Sequence, residues 1–192
     1  DKTLFDPHNC RVIFFDQRGS GQSKFDDPFR GNTTENLLKD VELLRDQIGV
    51  QRAILMGGSW GTTLALLHAM NFPHLTSAMV LRAFFPGNRD CINEMTDRSN
   101  ASIVPDAYLK FVGKVPRSAR GDMIAFYAEA LRTATPKERL AYAEAWQNLA
   151  VQLGRIPNPA GTGQHSVLHA AITAHYAHNN CFLPNNYLFG NA

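Results

Sequence analysis

The sequence predicts an α/β fold built on a parallel sheet, and three observations lead to this prediction. Apolar runs at 11–15, 53–56 and 77–85 lack the alternation of half-buried strands, as is typical of parallel strands covered on both faces. Apolar residues recur at helical spacing between these runs. A glycine-rich turn at 57–61 joins the second run to the second helix. Residues 11–85 therefore predict strand, helix, strand, helix, strand, with two crossover connections.

The first two helices have recognisable ends. Asn32, Thr33 and Thr34 are N-cap candidates for the first helix, and Gly49 supplies its stop. We expect the apolar face of this helix to lie on the sheet. Its members are Leu37, Leu38, Val41, Leu44 and Ile48. The second helix is expected to run to about Asn71, because proline at position 73 cannot continue it.

The character of the chain changes after Pro86. Helical spacing dominates 107–112, 123–131, 137–153 and 165–176, whereas 154–163 is a loop rich in proline and glycine. We interpret residues 1–86 as a partial α/β core and residues 87–192 as a helical cap domain.

Composition narrows the function classes. The 192 residues are 44% hydrophobic and 19% charged, with a net charge of +2, so neither nucleic acid nor a membrane surface is an expected partner. The three cysteines are far apart and follow no metal-ligand or disulfide spacing. We therefore expect no metal site and a reducing compartment, the cytoplasm.

The turn at 57–61 has the pattern G-x-S-x-G and predicts a nucleophile elbow centred on Ser59. Side chains at Gly57 or Gly61 are expected to collide with the neighbouring strand or helix, while Gly58 completes the turn. The backbone N–H of Trp60 lies at a helix N-terminus and is a candidate oxyanion donor. A plain glycine turn is the alternative interpretation.

A serine nucleophile needs a histidine base and a carboxylate that orients it. Two downstream histidines belong to the elbow helix or its end and are expected to be structural, and the others lie in a helical region without a preceding strand. All six are His68, His74, His165, His169, His175 and His178. We therefore expect the chain to be an internal piece, with the catalytic acid and base outside it.

Several motifs together closely resemble one family of enzymes. They are D-Q-R-G-S-G-Q-S at 16–23, N-T-T at 32–34, G-G-S-W-G-T-T-L-A at 57–65 and V-L-R at 80–82. The chain resembles prolyl aminopeptidase (proline iminopeptidase), a serine peptidase family of the α/β-hydrolase fold. The resemblance implies acylation of Ser59, an oxyanion contact from Trp60, and substrate contacts from Arg82 and Tyr176. It also implies a short peptide substrate with N-terminal proline, and no metal or cofactor.

Two positions depart from the family pattern. Ala150 and Thr173 stand where the family has glutamates that hold the free imino group of the substrate. Loss of these counter-ions weakens the expectation of strict proline specificity. Two alternatives therefore stay open. One is an esterase or amidase of the same fold, and the other is an inactive truncated protein that acts by partner binding or self-association.

Overall fold

The computed structural model describes residues 5, 6, 8–154 and 164–191, with only the backbone described for 164–166. In chain order, the elements are α1 (Thr34–Gln47), β1 (Ala53–Gly58), α2 (Trp60–Asn71), β2 (Thr76–Arg82), α3 (Arg89–Glu94), α4 (Asn100–Ile103), α5 (Pro105–Gly113), α6 (Met123–Thr133), α7 (Pro136–Gly154), α8 (Gln164–His178) and α9 (Tyr187–Asn191). Short 3₁₀ turns occur at Pro73–Leu75, Arg117–Ala119 and Asn180–Phe182.

Strands β1 and β2 form a parallel pair joined by α2. Their register places Leu55 opposite Met79 and Gly58 opposite Arg82. This confirms the predicted strand, helix, strand unit over the second half of the α/β segment. Because parallel neighbours end at the same sheet edge, the carboxyl ends of β1 and β2 lie side by side.

The predicted first strand, 11–15, is wrong. These residues adopt no regular secondary structure, and Phe14 is 57% exposed. Within the described part of the chain they pair with neither β1 nor β2, which form a sheet of two strands. A strand exists only through hydrogen bonds to a neighbour, so a suitable run of apolar residues is insufficient.

One face of the two-stranded sheet is open, which contradicts the expectation of cover on both faces. Side chains of β1 alternate between half-buried and exposed, and α2 lies on the half-buried side, next to Gly57. On the opposite side, Ile54, Met56 and Val80 are 64%, 54% and 53% exposed. We call these three residues the open sheet face.

The second strand of the pair is shorter than the predicted 77–85. It ends at Arg82 because Ala83 has φ of 53°, in the left-handed region that interrupts extended backbone. The turn carries the chain away from the sheet just beside the glycine-rich turn that follows β1.

Helix α1 has the predicted caps but not the predicted packing partner. The Thr33 hydroxyl accepts the N–H of Asn36, and Gly49 follows the helix with φ of 68°. Its buried Leu37 packs with Leu64 of α2 and Tyr176 of α8, whereas Leu44 is left 37% exposed. Helix α1 therefore reaches the sheet through α2.

The helical segment contains the largest hydrophobic core. Helices α5, α6, α7 and α8 start within a few residues of their predicted positions, and Asp122 caps α6 by accepting the N–H of Ala125 at 2.9 Å. Fully buried Phe111 and Tyr127 lie at its centre, with Trp146 against them. Most of the predicted 154–163 loop lies outside the described residues.

The end of the described chain packs back on the first part. Thr34 donates its hydroxyl hydrogen to the carbonyl oxygen of Cys181 at 2.5 Å, and the Asn88 amide donates to Asn186 at 2.9 Å. The 1–86 and 87–192 division stays a prediction. None of the helices formed by the described residues is both long and apolar enough to span a membrane.

Candidate active site

Ser59 lies at the sharp turn between β1 and α2. Its φ of 52° and ψ of −120° are unfavourable for a residue with a side chain. Its N–H donates to the carbonyl oxygen of Arg82 at 3.0 Å, which ties the turn to the end of β2. The turn conformation agrees with the strand, turn and helix that a nucleophile elbow requires.

The three glycines of this turn are not equivalent. A β-carbon at Gly57 would lie 2.2 Å from the carbonyl oxygen of Gly61, a separation that real atoms do not reach. A β-carbon at Gly61 meets no described atom within 4 Å outside its own helical turn, so the prediction that it would collide is wrong. At Gly58 the nearest described atom, Nη2 of Arg82, is 3.8 Å away. The approach of strand to helix therefore depends on Gly57.

Two buried threonines brace the first turn of α2. The hydroxyl of Thr62 donates to the carbonyl oxygen of Ser59 at 2.7 Å and accepts the N–H of Phe85 at 3.0 Å. The hydroxyl of Thr63 donates to the carbonyl oxygen of Phe85. Both side chains are 0% exposed. The strained turn is thereby fixed to the chain that follows β2.

The Ser59 side chain is exposed and caps no backbone group of α2. Trp60 is the first residue of the helix, so its N–H has no carbonyl acceptor four residues earlier. Among the described residues its N–H also has no backbone partner outside the helix. An exposed hydroxyl therefore stands next to a backbone donor that is free for an incoming oxygen.

Trp60 and Tyr176 form an aromatic pair beside this turn. Their ring centroids are 5.1 Å apart in an edge-on arrangement. The indole N–H of Trp60 donates to Oε1 of Gln17 at 3.1 Å, and the Tyr176 hydroxyl donates to Oδ1 of Asn32 at 2.8 Å. Burial raises the pKa of Tyr176. The Tyr176 hydroxyl is thus committed to Asn32, and its ring faces Trp60.

The backbone and the side chain of Arg82 make different contacts at this site. Its carbonyl oxygen holds Ser59, and its guanidinium lies over Gly58, as the register of the two strands requires. The residue is exposed and takes part in none of the ion pairs that the described residues form. The positive charge of Arg82 therefore lies beside Gly58, the residue that precedes Ser59.

Comparison with known proteins identifies the fold family. A family model described as alpha/beta hydrolase fold matches residues 2–181. The chain belongs to the alpha/beta hydrolase fold family. The two-stranded parallel sheet and its crossover helix are consistent with an incomplete core of this fold.

Several relatives of this hydrolase-fold chain are named proline iminopeptidase, the family that its motifs resemble. Proline iminopeptidase from Xylella fastidiosa (strain Temecula1 / ATCC 700964) is 36% identical over 145 residues, which cover 76% of this chain and 46% of the relative. Proline iminopeptidase from Arabidopsis thaliana is 31% identical over 193 residues, 97% of this chain and 51% of the relative. The putative proline iminopeptidase of Mycoplasma pneumoniae is 31% identical, with 63% of its length covered. The chain spans about half the length of the first two relatives.

The hydrogen bonds of two buried or half-buried histidines, His68 and His175, go to residues other than Ser59. His68 is buried and contacts Glu42 at 2.6 Å and Thr76 at 3.3 Å, a structural role as predicted. Nε2 of His175 contacts the carbonyl oxygen of Asn32 at 3.2 Å. Burial lowers the pKa of His175, which favours a neutral ring that donates through Nε2. No described histidine is hydrogen-bonded to Ser59.

The positions expected to carry glutamates lie on α7 and α8. The Thr173 hydroxyl accepts the indole N–H of Trp146 at 3.1 Å and donates within its own helix. Ala150 is half-buried and has no polar side-chain group. The Thr173 side chain therefore links α8 to α7. The described residues hold no group of three or more His, Cys, Asp or Glu side chains suited to a metal.

Sequence reasoning missed the supporting residues of this site. In the sequence, Gln17 stands out only as part of a motif, and Asn32 only as a cap candidate. Thr62 and Thr63 were part of the motif after Ser59, but helical position alone does not reveal their contacts with Phe85. Gln17 and Trp60 are 43 residues apart along the chain, Thr63 and Phe85 are 22 apart, and Asn32 and Tyr176 are 144 apart.

Proposed function

We propose that Ser59 is the nucleophile of a serine hydrolase that releases N-terminal proline from short peptides. The assignment of Ser59 as the nucleophile rests on the geometry of its turn, which combines an exposed hydroxyl with a free N–H on Trp60. The substrate class is supported by relatives that are named proline iminopeptidase. We assign no base.

The proposed reaction has two steps. Oγ of Ser59 attacks the carbonyl carbon of the N-terminal proline and loses its proton to a base, while the N–H of Trp60 stabilises the oxyanion. The peptide C–N bond then breaks, and the shortened peptide leaves with a proton on its new amine. In the second step, water attacks the prolyl ester, releases proline and restores the Ser59 hydroxyl.

A fluorophosphonate probe tests the nucleophile. We expect the probe to form a covalent bond with Ser59, located by mass spectrometry of the digested chain, because it reacts as an ester-like electrophile with activated serines. Ser59→Ala should abolish the label. Ser77→Ala, at another exposed serine, should leave it unchanged. An unlabelled Ser59 in the longest natural form of the protein would contradict the proposal.

Substrates then separate the finer alternatives. Proline arylamide should be cleaved faster than alanine arylamide by the form that carries the label. A labelled Ser59 with no cleavage of the proline substrate would favour the esterase or amidase alternative, in agreement with Ala150 and Thr173 at the expected glutamate positions.

The open sheet face favours partner binding as a second candidate function. Ile54, Met56 and Val80 form an exposed apolar patch, and such patches promote association. We expect this chain to self-associate in sedimentation velocity, and Ile54→Lys to shift the distribution towards monomer. A monodisperse monomer of the unsubstituted chain would count against this candidate.

A further inference from the structure

The D-Q-R-G-S-G motif at 16–21 has no part in the proposed chemistry, yet it contacts the candidate site. We infer that Gln17 and Asn32 are positioning residues that hold the aromatic pair of Trp60 and Tyr176 beside Ser59. The inference rests on the proposed function, because it assigns to this pair an effect on the reactivity of Ser59.

Gln17 fixes the edge of the Trp60 ring. The indole has a single polar hydrogen, and it is given to Oε1 of Gln17 at 3.1 Å. Both residues are half-buried. A partly buried donor without an acceptor is unfavourable, so the position of the Gln17 amide restricts the rotation of the indole.

Asn32 uses all its side-chain hydrogen-bonding groups to join two segments. Its side chain is 2% exposed. Nδ2 donates to the carbonyl oxygens of Pro28 at 2.8 Å and Arg18 at 3.1 Å, while Oδ1 accepts from Tyr176. Its backbone carbonyl also contacts Nε2 of His175. Asn32 therefore fixes the 16–21 loop relative to two successive residues of α8.

These contacts form a closed network around Trp60. Gln17 binds the Trp60 indole, the Trp60 ring meets Tyr176, Tyr176 binds Asn32, and Asn32 binds Arg18, the neighbour of Gln17. Arg18 of the loop also forms a bidentate ion pair with Asp40 of α1, and both nitrogen–oxygen distances are 2.6 Å. The loop is thus anchored independently of the turn that it positions.

This network of contacts affects the geometry of the site because Trp60 immediately follows Ser59. The Ser59–Trp60 peptide supplies both the nucleophile and the proposed oxyanion donor. Displacement of the Trp60 ring removes packing from the first turn of α2, and small misplacements of reacting groups cost large factors in rate. The motif thereby gains a role in orienting the site.

The test compares two identical substitutions in one loop. Gln17→Met removes the acceptor, whereas Gln22→Met changes an exposed side chain of a residue that contacts the loop through its backbone, with its N–H to Asp16 and its carbonyl oxygen to Lys24. Gln17→Glu keeps an acceptor oxygen and serves as the rescue variant. In the longest natural form of the protein, we expect Gln17→Met to slow fluorophosphonate labelling of Ser59 by about tenfold, with Gln17→Glu and Gln22→Met within about twofold of the unsubstituted form.

Indole ¹H–¹⁵N spectra supply a readout that does not depend on reactivity. The chain has two tryptophans, and Trp60→Phe assigns their signals. Gln17→Met should shift the Trp60 signal and speed its hydrogen exchange, while the signal of Trp146 stays in place. Tyr176→Phe keeps the ring but frees Asn32, and it should shift the Trp60 signal in a chain whose fold is retained.

Several outcomes overturn the inference. An unchanged Trp60 signal in Gln17→Met, equal effects of the Gln22→Met control, or a shifted ring with unchanged labelling would each do so. If Ser59 takes no label in the unsubstituted longest natural form of the protein, the proposed function fails, and the effect on Ser59 fails with it. The Trp60 signal then still decides whether Gln17 positions the ring.

Discussion

Gly57→Ala is expected to destabilise the fold by more than about 4 kcal/mol, or to prevent folding altogether. The new methyl group would lie 2.2 Å from the carbonyl oxygen and 2.4 Å from the carbonyl carbon of Gly61. Both are backbone atoms of the first turn of α2, so no side-chain rotation relieves the clash. The strand and helix must separate, which breaks the turn at Ser59. Urea denaturation followed by circular dichroism measures the loss.

Gly61→Ala is the matched control. Outside its own helical turn, its β-carbon meets none of the described atoms within 4 Å, and the residue lies in α2, where alanine is favoured over glycine. We therefore expect a change within about 1 kcal/mol, towards higher stability. Equal losses in the two variants would show that the contact between Gly57 and Gly61 does not define the turn.

Phe111→Ala is expected to lower the free energy of unfolding by about 3–5 kcal/mol. Phe111 is 0% exposed, and its ring stacks on Tyr127 with centroids 4.4 Å apart and planes inclined by 8°. Removing the ring leaves a cavity at the centre of the helical core and loses contact with Trp146. Denaturant unfolding monitored by tryptophan fluorescence measures the change.

Leu109→Ala provides the comparison on the same helix. Leu109 is 65% exposed, so we expect its substitution to change stability by less than about 0.5 kcal/mol. A small loss for Phe111→Ala, similar to that for Leu109→Ala, would contradict the assignment of the main core to α5, α6, α7 and α8.

The fold was predictable where local sequence carries the signal. Thr33 and Gly49 mark the ends of α1, because capping depends on residues within one turn of helix. The apolar run of β1 and the glycines after it predicted a turn at Ser59 for the same reason. The motifs also indicated the alpha/beta hydrolase fold, which the match to the family model confirms.

The errors arise where a structure depends on distant neighbours. The 11–15 run is as apolar as β1, yet it has no partner strand among the described residues. Gly57 and Gly61 look equivalent in the motif, but only the close approach of β1 to α2 distinguishes them. The same limit applies to the site, since Gln17 contacts Trp60 and Asn32 contacts Tyr176, and sequence spacing does not bring these residues together.

Sequence alone thus established helices α1, α2, α5, α6, α7 and α8, the β1–α2–β2 unit, the hydrolase fold and the serine at its turn, because each is encoded by caps, periodicity or a local motif. The tertiary contacts established which apolar run pairs as a strand, which glycine is indispensable and which side chains surround Ser59. Hydrogen bonding and steric exclusion between distant segments are properties of the packed chain, so no local pattern specifies them.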